Sequence, residues 1–151
     1  MRPQILVLLA MLALAPSSGR AETPPKVSLS LPKSAKVGAK VQATLTITIE
    51  EGLHLYQNPP TKDYMIPLEI VSASKGIVAK PRYPKGTVRD FLGEPTAMYD
   101  GTIEVPVEII APKKPGPLVV KLDVRYQQCT NESCYPPGSV TVSGKMTLKK
   151  P

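Results

Sequence analysis

Residues 41–49, VQATLTITI, alternate without a break: Val41, Ala43, Leu45, Ile47 and Ile49 fall on one side, Gln42 and three threonines on the other. A period of two sends successive side chains to opposite faces of an extended chain, so the pattern predicts a half-buried strand rather than a helix. The same period recurs at Val27-Leu29-Leu31, Ile66-Leu68-Ile70, Ile103-Val105-Val107-Ile109, Leu118-Val120-Leu122-Val124-Tyr126, Val140-Val142 and Met146-Leu148. Shorter strands are expected at 53–56 and 77–80. No stretch shows a convincing helical period. Between the apolar runs lie turn signals such as QNPPTKDY, SASKG and APKKPGP. The 18 prolines are more than twice average usage, and are expected mostly at strand ends, where a missing N–H does least harm. Seven or eight short strands separated by turns read as an all-β, immunoglobulin-like antiparallel β-sandwich. There is no Trp, so the Cys…Trp…Cys core of antibody domains is absent and only the architecture is implied.

Residues 1–21 have a different character. A basic Arg2, an apolar run over residues 5–15 and small residues ending at Ala21 have the layout of a secretory signal peptide. The apolar run is short of the roughly 20 residues a membrane span needs. The mature chain is therefore expected to be one domain over residues 22–151, exported and without a membrane span. A chain of this size buries about two thirds of its unfolded surface and can fold without a disulfide. The net charge of +7 comes from scattered lysines, with a single Phe and no basic run interleaved with aromatics. That predicts a solvated surface and no nucleic-acid partner. No cofactor is expected.

Residues 83–100, YPKGTVRDFLGEPTAMYD, fit no strand well and hold the only phenylalanine, Phe91. A loop this long inside a compact domain is usually functional or mobile. Against that stands the simpler reading that Phe91 tucks into the core.

The two cysteines, Cys129 and Cys134, lie in YQQCTNESCYPP. Three roles are open. A structural disulfide is the commonest role in an exported protein, yet closing six residues stabilises by only about 2 kcal/mol. A disulfide that opens and closes is the second. Leu122, Val124 and Tyr126 lead into the site on a strand, and TNES is a polar turn. If the cysteines face each other across its base, their Cα atoms lie about 4.5–5.5 Å apart, within bonding range. The polar surroundings put the pair near the surface, where something should cover it, and the 83–100 segment is the only candidate of sufficient length. Metal binding is the third. One histidine, His54, with two cysteines falls short of tetrahedral zinc; a thiolate site for Cu(I), with Met65, Met98 or Met146 nearby, stays open. Hydrolytic chemistry is unsupported, since no G-x-S-x-G occurs. Asn131-Glu132-Ser133 matches a glycosylation sequon and is treated as accidental.

VRYQQCTNESCYPP resembles the cysteine motif of the N-terminal periplasmic domain of the DsbD family of thiol:disulfide interchange proteins. EGLHLYQN, RDFLGE and MYDGTIEVPVEI are similar in order and spacing, so the resemblance covers most of the mature chain. It implies an immunoglobulin-like fold and transfer of electrons to oxidised periplasmic proteins by dithiol–disulfide exchange. Cys129 and Cys134 would then be the redox pair, with Cys134 forming the mixed disulfide and Cys129 resolving it. Asp90, Phe91, Leu92 and Gly93 would form a cap loop that shields the sulfurs. Tyr56 and Tyr126 would stand beside the site. His54 falls where a tyrosine stands in the family, and is expected to do nothing. The implied partners are a membrane thiol–disulfide transporter or thioredoxin-like domain as electron donor and periplasmic thioredoxin-fold proteins as acceptors. The alternative is a non-catalytic secreted sandwich that binds a protein and keeps its disulfide closed. A reduction potential well below about −300 mV would favour that alternative.

Overall fold

The computed structural model describes residues 22–150; the leader read into residues 1–21 lies outside them. Twelve strands follow in chain order: β1 (Lys26–Ser30), β2 (Ser34–Lys36), β3 (Lys40–Thr48), β4 (His54–Tyr56), β5 (Glu69–Ser72), β6 (Val78–Pro81), β7 (Thr87–Phe91), β8 (Glu94–Tyr99), β9 (Thr102–Ile110), β10 (Gly116–Tyr126), β11 (Gln128–Cys129) and β12 (Gly138–Lys149). They form three four-stranded sheets, ordered β1-β3-β9-β6, β2-β12-β10-β5 and β11-β4-β8-β7. All the strand pairs are antiparallel except β2 with β12, which run parallel.

The first two sheets enclose the main core. Leu45 and Ile47 of β3, Val105, Val107 and Ile109 of β9, and Val120, Leu122 and Val124 of β10 are fully buried. These are the residues on the apolar side of each alternating run. The remaining members of that side in the 41–49 run, Val41, Ala43 and Ile49, are also buried, while Ile103 and Leu118, which open the runs in β9 and β10, are half-buried against the core. The period-two reading therefore identifies the buried face of the long strands, because only one face of each is covered.

Three expectations need correction. The Ile66-Leu68-Ile70 run starts its strand only at Glu69, and Ile66 is exposed. Val140-Val142 and Met146-Leu148 belong to one strand, β12, which passes through Gly144 without a break. Residues 83–100 are not a long loop: β7 and β8 form a hairpin within them, in register from Thr87↔Met98 to Phe91↔Glu94. The alternation fails there for a physical reason. The first four residues of β7 are exposed, and the last four of β8 are all buried, so neither strand has one apolar and one polar face.

Pro106 departs from the expected placement of prolines, lying mid-strand in β9 opposite Thr44. It is tolerated because its side of the ladder faces past the last residue of β6, where its carbonyl accepts from Arg82 N at 2.8 Å.

Candidate functional site

The third sheet carries the cysteines. β10 passes through Gln127 into β11, which pairs with β4 so that Gln128 faces Leu55 and Cys129 faces His54. The chain then turns over Thr130–Ser133. Thr130 N donates to Ser133 O at 2.8 Å, and Tyr135 N donates to Gln128 O at 2.9 Å. Between these two bonds Cys129 and Cys134 oppose each other as an isolated antiparallel bridge, the position where cross-strand Cα atoms come closest. They form a disulfide with Cα atoms 4.0 Å apart, tighter than the turn geometry alone predicts. The Thr130 hydroxyl accepts from Glu132 N and Ser133 N and holds the turn. Asn131 is exposed at its tip.

The two sulfurs are not equivalent. Cys129 is fully buried, whereas Cys134 is exposed. The burial of Cys129 corrects the expectation that the whole pair lies near the surface. Cys129 packs with Tyr56, Met65, Phe91 and Met98 in a second apolar cluster, separate from the main core. The hydroxyl of Tyr56 lies 3.5 Å from Cys134 Sγ. Burial raises the Tyr56 pKa above its usual value, with nearby Tyr64 adding to the effect, so the phenol stays protonated at neutral pH.

The β7–β8 hairpin brings the cap residues to this cluster. Its tip, Leu92-Gly93, has φ of 53° and 82°, the pair of positive values that a two-residue type I′ turn requires. Asp90 Oδ1 accepts from Gly93 N at 3.0 Å and steadies the turn. Leucine in this conformation is disfavoured by about 1–2 kcal/mol. Phe91, at the strand end, is buried with its ring centroid 6.1 Å from that of Tyr56. Leu92 points outward and is 72% exposed. A cleft of about 270 Å³ lies between hairpin and disulfide, lined by Tyr56, Tyr64, Met65, Phe91, Leu92 and Cys134 among others.

The base of the hairpin is tied down as well. Gly86 N donates to Gln57 Oε1 at 2.9 Å and Tyr99 OH to Pro84 O at 2.7 Å. A Cβ at Gly86 would lie 2.9 Å from the Met98 carbonyl oxygen, so only glycine lets β7 start this close to β8.

Of the residues singled out in the sequence, the structure brings together Cys129, Cys134, Tyr56, Phe91 and Leu92, with Asp90 and Gly93 shaping the turn. Tyr126 stands apart: it is buried in the main core, over Gly138. His54 is drawn in, as the cross-strand neighbour of Cys129 and edge-on to Phe91 at 5.1 Å. Met65 and Met98, considered only as metal ligands, are packing residues around Cys129. Tyr64 was missed. It is 73% exposed, bonds Glu94 Oε2 at 3.1 Å, and carried no signal in a turn-rich stretch. Among the described residues no group of three or more His, Cys, Asp or Glu side chains could hold a metal ion, and no helix is long and apolar enough to cross a membrane.

Comparison with known proteins finds the same fold elsewhere. Among solved structures, the N-terminal periplasmic domain of ScsB from Proteus mirabilis aligns with a TM-score of 0.62 at 17% identity, over 86% of this chain and 49% of that one. The chain thus spans about half the length of that structure. The N-terminal domain of DsbD from Neisseria meningitidis, in its reduced form, aligns with a TM-score of 0.48 at 19% identity, over 75% of this chain and 86% of that one. No curated protein matches. The model of the family described as thiol:disulfide interchange protein DsbD, N-terminal, matches residues 25–145, a span that contains β1 to β11, most of β12 and the disulfide, and the chain belongs to that family.

Proposed function

We propose that this chain is a periplasmic thiol–disulfide interchange module over residues 22–151, exported by the leader at 1–21. It passes electrons from a membrane thiol–disulfide transporter or thioredoxin-like domain to oxidised thioredoxin-fold proteins. The observation that carries the reading is the asymmetry of the pair: an exposed Cys134 joined to a fully buried Cys129, at the edge of an apolar cleft. An incoming thiolate can reach one sulfur only. The ScsB domain that shares the fold is described as periplasmic, which supports the location.

In the proposed cycle a donor thiolate attacks Cys134 Sγ, the Cys129–Cys134 bond breaks, and the donor's second thiol releases the reduced module as its own disulfide closes. Reduced Cys134, as thiolate, then attacks the acceptor disulfide. A mixed disulfide forms, and Cys129 attacks Cys134 Sγ to expel the reduced acceptor. Two electrons leave the module and its disulfide is restored. Only the thiolate is nucleophilic, and no basic residue flanks Cys134 in sequence. The Tyr56 hydroxyl at 3.5 Å supplies a donor to that thiolate instead. Phe91 covers Cys129 and lines the cleft in which Cys134 stands. The test is to trap Cys129→Ala with thioredoxin-fold candidates. A mixed disulfide through Cys134 is expected. Its absence at every redox poise would leave a structural disulfide as the better account.

A further inference from the structure

His54 is the chain's single histidine, and the exchange steps above do not use it. It stands directly across the β4–β11 ladder from Cys129. Directly opposed residues of an antiparallel pair project to the same side, with Cβ atoms about 4.5–5.5 Å apart. The two side chains therefore leave the ladder on the same side, with no hydrogen bond between Nε2 and the joined sulfur. The ring is buried between Phe91, 5.1 Å away, and Tyr56, 6.0 Å away, both edge-on. Its Nε2 is sealed from solvent and has no hydrogen-bond partner. A buried polar atom left unpaired is destabilising and rare enough to need a reason. The disulfide supplies one. While the sulfurs are joined Cys129 has no proton to donate; once reduced, it carries an S–H on the same side of the ladder as that ring.

The geometry points to His54 as the proton acceptor for Cys129 in the step that resolves the mixed disulfide. The inference rests on the exchange reading. Cys129 is fully buried and cannot hand its proton to water, yet it must become a thiolate to attack. His54 Nε2 takes the proton. Cys129 Sγ then bonds Cys134 Sγ, the bond from Cys134 to the partner sulfur breaks, and the partner leaves as a thiolate that recovers the proton from the imidazolium. The module is oxidised by two electrons, the partner is reduced by two, and the imidazole ends neutral.

The surroundings keep the ring able to accept. Burial lowers its pKa below the usual 6.5; Arg89 lowers it further and Asp100 opposes. The groups facing it are Cys129 from β11, Tyr56 on its own strand, Arg89 from β7 and Asp100 just beyond β8. Arg89 and Asp100 form an ion pair with each other, so the one carboxylate that favours the charged ring is shared with a guanidinium.

The experiment uses the reduced protein with a large excess of dithiobis(nitrobenzoate), acid-quenched and read by mass. The first released thiolate reports attack by Cys134, and decay of the adduct reports Cys129. In His54→Gln the first release is expected to stay within about twofold of the unsubstituted protein, while the adduct lives about 100-fold longer at pH 7. His54→Phe, which keeps a ring against Phe91, should behave the same. In the unsubstituted protein adduct decay should level off above about pH 6.5, and in both variants it should keep rising with hydroxide. Adduct lifetimes unchanged in His54→Gln, or normal decay in His54→Phe, overturn the assignment and leave the ring a packing role. A decay rate in the unsubstituted protein that climbs without a plateau overturns it even if neither variant folds. Absence of the first release removes the exchange reading itself, and this inference with it.

Discussion

The main core and the sulfur cluster are built on opposite plans. The core lies between sheets whose strands reach 9, 11 and 12 residues in β3, β10 and β12, and its centre is aliphatic. The cluster sits on a sheet whose β4 and β11 have three and two residues, and it is aromatic and sulfur-bearing, with a cleft on one side. The same short strands serve both. Leu55 and Tyr99 face the core while Tyr56 and Met98 face the sulfurs. A residue pair in register thus divides its two faces between stability and chemistry. The lesson is that the two are separate units of packing, so a change in one can leave the other folded.

The comparison can be broken at four points. Leu122→Ala removes a fully buried core side chain and should cost about 2–5 kcal/mol of unfolding free energy, measured by urea denaturation, while exchange by the molecules still folded keeps its rate. A changed exchange rate would mean the two clusters are coupled. Phe91→Ala should act in reverse: it uncovers Cys129, whose alkylation in the reduced protein speeds up about tenfold, equivalent to about 1.4 kcal/mol of shielding. Leu92→Asn places a residue that tolerates positive φ at the hairpin tip and should stabilise by about 1 kcal/mol. It should also slow exchange with a protein partner without altering reaction with a small disulfide, because an exposed apolar contact is lost. The smallest effect is on pH dependence. The folded-state pKa of His54 is lowered, so the folded state binds fewer protons than the unfolded chain as pH falls. The stability linked to His54 is full above about pH 6.5 and declines as pH drops toward its folded value. His54→Phe should flatten that slope in thermal unfolding of the oxidised protein.

Much of the site was legible and its organisation was not. Cys129 and Cys134 stand out because they are the only cysteines, and Phe91 because it is the only phenylalanine on a segment without alternation. Their unequal exposure was not readable, since both sit among polar residues in sequence. Cys129 is buried by Met65, Phe91 and Met98, which arrive from three other parts of the chain. The β7–β8 hairpin was missed because β7 meets solvent on nearly every residue while β8 meets protein on its last four. Tyr126 looked like a neighbour of the sulfurs because it is three residues away, yet its side chain belongs to the inward face of β10 and ends in the main core.

By itself the sequence determined the strands of the sandwich and the face each one buries, because a period of two is a local property that one covered surface makes visible. It also named the two sulfurs. Only the tertiary structure decided which sulfur is sealed, what covers it and which base stands beside it. Those facts depend on ladder registers that set His54 against Cys129 and fold Phe91 over both, and pairings between residues so far apart in the chain leave no periodic trace along it.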